Sequence, residues 1–177
     1  MRHLQWFAVC LLAALPANAQ WNEDGKPAPD TPARQAKGGF GAMLVLTDEP
    51  KKLMADWESP PENMPVMRTT ERVGRNKVVV AFVVFTGCRP RNGVCDSSVD
   101  FSAYRPDGSL YGEQADGELW RGKAPPADKQ LQLSIGGFGL RIEPEDPLGR
   151  YTIKARVRDN VAGTMLELVT TVEAVAE

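Results

Sequence analysis

Apolar and polar residues alternate with a period of two over Tyr151–Arg158. Tyr151, Ile153, Ala155 and Val157 share one face, and Thr152, Lys154, Arg156 and Arg158 share the other. That pattern describes a strand with one buried and one wet face. The turn formers of Asp159–Gly163 follow, and then Thr164–Val172 sets Leu166, Leu168 and Val172 against Met165, Glu167 and Thr171. An antiparallel hairpin is predicted. Lys77–Phe85 (KVVVAFVVF) is β-branched and aromatic without polar alternation, which predicts a strand covered on both faces. Phe40–Thr47 is a further strand, and Ser98–Tyr104 another, with Val99, Phe101 and Ala103 on one face. Pro106-Asp107-Gly108 predicts a turn, because Pro fixes φ and Gly accepts a positive one. Leu110-Tyr111 and Glu118-Leu119-Trp120 read as short strands around a Gly-rich loop. Thr69-Thr70 and Val73 allow a short edge strand within Met64–Val73. Leu131, Leu133 and Ile135 alternate with polar residues, and Gly136-Gly137 predicts a bend or bulge before Leu140 and Ile142. Helical spacing is confined to Leu53, Met54 and Trp57, one or two turns stopped by Pro60-Pro61. Seven or eight short strands with Gly/Pro turns predict an all-β chain folded as a single antiparallel β-sandwich.

The N-terminal part follows a different pattern. Arg2 precedes a short apolar run from Trp6 to Leu15, Pro16 breaks it, and Ala17-Asn18-Ala19 forms a small-x-small site. The three features in this order predict a signal peptide over residues 1–19, cleaved after Ala19. The run is too short to span a bilayer, and no stop-transfer segment follows. Residues 20–39 are rich in Pro, Gly, Ala and charge, with little to bury. They read as a flexible tether, with Trp21 the one residue able to dock. Residues 40–177 remain as the folded domain. The destination is periplasmic or secreted.

Asp146–Ile153 (DPLGRYTI) resembles the tyrosine corner of immunoglobulin-like and fibronectin type III sandwiches. In those domains an acidic residue, a small residue and a Tyr precede a buried strand position. The resemblance covers about 30 C-terminal residues of the hairpin region, with a spacing that departs by one residue. It implies that the Tyr151 hydroxyl turns back to the backbone, that Gly149 permits the corner, and that Ile153 takes the place of the family's second cysteine. No Trp fills the family's core strand position.

Cleavage removes His3, the only histidine, and Cys10, one of three cysteines. Cys88 and Cys95 remain, in the turn-rich segment TGCRPRNGVCDSS. In an exported chain such a pair points to a disulfide closing a hairpin loop. A metal site needs more ligands, and a redox pair has closer spacing at a helix start. Without histidine the usual Ser-His-Asp and Cys-His sets are missing, and so are the commonest zinc and copper ligands. GGFG occurs at Gly38–Gly41 and Gly136–Gly139 but is too short for a phosphate loop. The 21 Lys and Arg against 23 Asp and Glu give a formal net charge of −2, no basis for nucleic-acid binding. The sequence therefore implies no catalytic residue, no metal and no cofactor.

Three sets of residues could carry function. Arg89 and Arg91 flank Pro90 on the cysteine-closed loop, where a guanidinium fork suits carboxylate or phosphate. Tyr111 and Trp120 form a candidate stacking surface for sugar rings. Asp107, Glu113, Asp116 and Glu118 cluster nearby and allow a carboxylate pair of the glycosidase kind. The leading expectation is a non-enzymatic envelope protein that binds an unidentified protein or glycan through loops or an edge strand. A carbohydrate-binding or cell-wall module is the alternative, and a small glycosidase a third reading.

Overall fold

The structure is a computed structural model describing residues 22–23, 26–58, 67–127 and 130–176. The predicted signal peptide, Trp21 and the predicted helix stop at Pro60-Pro61 lie outside the described residues. A two-residue ribbon pairs β1 (Asn22–Glu23) with β2 (Lys26–Pro27). The domain proper is two five-stranded sheets packed face to face.

The first sheet contains β3 (Arg34–Lys37), β4 (Phe40–Thr47) and β6 (Val78–Thr86). Beyond β6 lie β9 (Gln132–Leu133) and β10 (Phe138–Arg141), both paired with the same edge of that strand. Between them Gly137 passes so close that a Cβ would lie 2.8 Å from side-chain carbons of Phe82 and Val80. The Gly136-Gly137 break is thus a strand interruption, as expected. Alternation stops there too. Leu133 is buried, but Ser134 then takes the inner position and Ile135 is 40% exposed. The Ser134 hydroxyl accepts from the Val83 N–H at 3.1 Å and donates to the Gly136 carbonyl at 2.7 Å, so its burial leaves no polar group unpaired.

The second sheet runs in the order β5 (Arg72–Gly74), β12 (Thr164–Val175), β11 (Gly149–Asp159), β7 (Asp96–Tyr104), β8 (Leu110–Arg121). The β11–β12 hairpin is as predicted, with Tyr151, Ile153, Ala155, Val157, Leu166, Leu168 and Val172 all buried. Pairing is antiparallel except between β5 and β12, which run parallel. The expected edge strand within Met64–Val73 is this β5, displaced to Arg72–Gly74.

Two further expectations are corrected. Asp30–Lys37, placed by composition in the tether, belongs to the fold. β3 pairs with β4, and the Pro32 carbonyl accepts from the Val169 N–H at 2.7 Å, so the segment bridges both sheets. The Gly-rich loop of 112–117 is also strand. β8 is continuous against β7, with register irregularities at Ser97/Ser98, Val99/Phe101 and Ala103/Tyr104. These bulges hide its alternation.

The main core lies between the sheets. A second cluster lies on the outer face of the first sheet, where helix α1 (Pro50–Glu58) sets Leu53 and Trp57 against Val45, Phe82 and Val84. This cover explains why β6 lacks polar alternation. Met54, on the far side of the helix, is 40% exposed.

Candidate functional site

At one end of the sandwich the chain leaves β6, forms a small hairpin and enters β7. Asn92 (φ 53°) and Gly93 (φ 81°) occupy the two central positions. The flanking Arg91 and Val94 exchange backbone hydrogen bonds of 2.8 and 3.2 Å. Two consecutive positive φ values at Asn-Gly define the tight turn whose twist suits paired strands. Cys88 and Cys95 close the hairpin with a disulfide, their Cα atoms 6.0 Å apart. Both sulfurs sit in the main core. The Cys95 N–H donates to the Lys123 carbonyl (2.8 Å) and its carbonyl accepts from the Gly122 N–H (3.0 Å).

A third anchor comes from Asp159, which is 1% exposed. Its Oδ2 accepts from the Arg89 N–H at 2.7 Å, and its Oδ1 from the Val161 and Ala162 N–H groups, each at 3.1 Å. One carboxylate thus ties the hairpin to the β11–β12 turn. The local half of this arrangement is legible in Asp159-Asn160, a turn-initiating pair. The link to Arg89 spans 70 positions and leaves no sequence signal. Arg89, Arg91 and Val94 point to solvent.

Tyr111 and Trp120 are not brought together. They stand nine positions apart on β8, about 30 Å of strand, and both pack against the core. The Trp120 indole N–H donates to the Ala124 carbonyl at 2.9 Å; Phe85 packs on the ring, and Lys123 lies 4.7 Å from its centroid. The Tyr111 hydroxyl is shared between the Asp146 carboxylate and the Arg141 carbonyl. Its ring meets Tyr151 edge-on, with the Arg105 guanidinium 4.6 Å from the centroid. Burial, then the adjacent Asp146, push the Tyr111 phenol up. Burial opposes ionisation of Asp146, but Tyr111, the Glu143 N–H and Arg105 outweigh it and hold the carboxyl below its usual range. Beside this network the Tyr151 hydroxyl donates to the Pro147 carbonyl at 2.9 Å, the corner that the sequence implied.

The acidic residues are dispersed along β8 and the turn before it. Asp107 caps the Ser109 N–H at 2.9 Å, and Ser109 lowers its pKa. Asp116, at a bulge with φ 54°, pairs with Arg121, which lowers its pKa. Glu113 and Glu118 are exposed. A carboxylate absent from the sequence reading, Asp100, is gripped by Arg158 and accepts from the Asp116 N–H at 2.9 Å. Arg158 holds it below the ordinary range. A glycosidase acid needs a pKa raised by its surroundings, and these three aspartates are shifted the other way. Among the described residues no cluster of His, Cys, Asp and Glu has the arrangement of a metal site. No helix among them is long and apolar enough to cross a membrane.

No family model matches the chain, and no curated protein matches it in sequence. Among solved structures it is similar to a CARDB domain from Pyrococcus furiosus, a domain determined in complex with di-metal ions. Identity is 20% over 60% of this chain and 81% of that one, with a TM-score of 0.35. It is also similar to a family 123 glycoside hydrolase from Clostridium perfringens, at 10% identity over 78% of this chain and 27% of that one, with a TM-score of 0.40. Both likenesses are too slight to carry a functional argument.

Proposed function

We propose that the protein is an exported, non-enzymatic binding module of the cell envelope. In this reading it is an immunoglobulin-like sandwich that engages a carboxylate- or phosphate-bearing macromolecule through the Cys88–Cys95 hairpin. The observation that carries the reading is the triple anchoring of that hairpin by the disulfide, the Asn92-Gly93 turn and Asp159. A loop fixed before contact loses little entropy on binding, so its side chains are presented at low cost. Arg89 and Arg91 form no ion pair among the described residues, which leaves their donor forks for a partner. The Tyr151 corner and the order β12-β11-β7 through the second sheet support the immunoglobulin-like reading. The disulfide and the N-terminal sequence pattern support export. The Tyr111–Trp120 stacking surface is disfavoured, since both rings are already occupied.

The test is Arg89→Glu combined with Arg91→Glu, in protein whose folding is verified first. Stability should be nearly unchanged, because exposed charges contribute little. Recovery of a cross-linked partner from envelope extract should fall at least tenfold. Undiminished recovery, with loss on Trp120→Ala instead, would transfer the function to the stacking surface. Hydrolysis of a glycan panel that disappears in Asp116→Asn or Glu118→Gln would refute the non-enzymatic reading.

A further inference from the structure

At the opposite end of β7 from the hairpin, a groove of about 420 Å³ opens on the outer face of the second sheet. Tyr104, Arg105, Pro106, Gly108, Arg150, Thr152 and Lys154 line it. Three cationic side chains and no acidic one border this space, in a protein whose net charge is negative. The cations are held in place rather than free. Arg105 donates to the Leu110 carbonyl at 2.8 Å and rests 3.9 Å from Asp146. Arg150 stands 3.9 Å from Glu173. The Lys154 ammonium sits 4.9 Å from the centroid of the Tyr104 ring. Arg105 and Arg150 thus have acidic partners just outside the lining, and Lys154 is the lining cation that has none among the described residues.

We propose that this groove binds an oligosaccharide bearing carboxylate or phosphate groups. The cations would receive the anionic substituent, since Arg offers a planar fork and Lys a mobile point charge. Pro106 and the face of Tyr104 that Lys154 does not cover supply flat apolar surface for a sugar ring, and the Thr152 hydroxyl can both donate and accept. A second groove of about 420 Å³ continues from the same Tyr104 and Lys154, past Ser102, Glu113, Arg156 and Glu167. Asp100, Glu113 and Glu167 outnumber Lys154 and Arg156 along it, so it suits the uncharged, hydroxyl-rich remainder of an extended chain rather than a second anionic substituent. An isolated inorganic ion would use only the first groove. The proposal does not depend on the hairpin reading, because no residue is shared.

The test titrates the full chain with a galacturonate trisaccharide in which one galacturonate ends two galactose units, the uncharged galactose trisaccharide, inorganic phosphate and phosphatidylglycerol vesicles. Amide shifts report the site. The galacturonate trisaccharide should perturb Tyr104, Thr152 and Lys154 and bind at least tenfold tighter than either the neutral sugar or phosphate. Arg150→Glu with Lys154→Glu should abolish that binding. Tyr104→Leu should weaken it about tenfold, and Lys154→Gln, which leaves the sheet undisturbed, should weaken it by a smaller factor. Equal affinity for phosphate and trisaccharide would overturn the sugar component. Binding to vesicles alone, or shifts unaltered by the charge variants, would overturn the site.

Discussion

Replacing Asp159 with alanine should loosen the hairpin before it loosens the fold. The carboxylate is buried and receives three backbone N–H bonds, one from Arg89 at 2.7 Å and two from its own turn at 3.1 Å. Hydrogen bonds to a charged acceptor contribute about 1.5–3 kcal/mol each, and they are not additive. The Val161 and Ala162 N–H groups lie in a half-exposed turn and can turn to water, so their loss is largely offset. The Arg89 bond has no such substitute, because the disulfide holds that segment in place. We expect a net loss of about 2–4 kcal/mol for Asp159→Ala, read as a lower urea midpoint with an unchanged slope. Asp159→Asn keeps one acceptor oxygen and should lose about half as much. The decisive measurement is amide exchange. The Arg89 amide should exchange much faster in Asp159→Ala, while exchange at Val99, Ile153 and Leu168 should accelerate only in proportion to the lost global stability. Continued protection of Arg89, at any midpoint, would show that the carboxylate does not anchor the hairpin.

Further outcomes follow from the same geometry. Tyr151→Phe removes a donor from the Pro147 carbonyl and should cost about 1–2 kcal/mol, measured by chemical denaturation. Reducing Cys88–Cys95 opens a short loop and should lower stability by about 2–3 kcal/mol while far-UV circular dichroism stays unchanged, since most of the core lies elsewhere. Asp146 and Asp100 are held below the ordinary carboxylate range in the folded state, so their contribution is complete above the unfolded pKa of about 3.9 and is lost as pH falls through the lower folded value. The melting temperature should therefore be flat from pH 7 to pH 5 on their account and fall below about pH 4, with a shallower fall in Asp146→Asn.

The sequence was most legible where side-chain period and hydrogen-bond register coincide. β11 and β12 run eleven residue pairs without a slip, so Tyr151 through Val157 sort onto two faces without error. β6 was legible for the opposite reason, as a strand walled by the core and by α1 has no wet face to encode. β8 was not, because three register irregularities shift Tyr111, Leu119 and Trp120 inward out of period, and Gly112 and Gly117 imitate a loop. β3 carries no signal at all. RQAK becomes a strand through the backbone groups of β4 that it pairs with. At the candidate site the cysteines and Asn-Gly exposed the hairpin, since disulfide and turn chemistry are local. The two aromatic residues misled, because a Tyr or Trp beside glycines and acids reads as surface until its polar atom is seen to be satisfied within the fold.

The second sheet connects the two proposed surfaces and also separates them. β7 begins beside Cys95 and ends at Tyr104, and β11 begins at Gly149 and ends at Asp159, so each strand touches the hairpin at one end and the cationic groove at the other. Nine paired residues of strand put the ends roughly 30 Å apart. Both strands are interior to their sheet and bury one face in the core, so neither has an evident second packing into which a local change could drive it. Substitutions more than about 10 Å apart that share no partner are ordinarily additive. Arg89→Glu with Arg91→Glu should thus leave trisaccharide affinity at the groove unchanged, and Arg150→Glu with Lys154→Glu should leave partner recovery through the hairpin unchanged. Loss of both activities in either variant would mean that one extended ligand spans the face between them, and the two sites would then have to be redrawn as one.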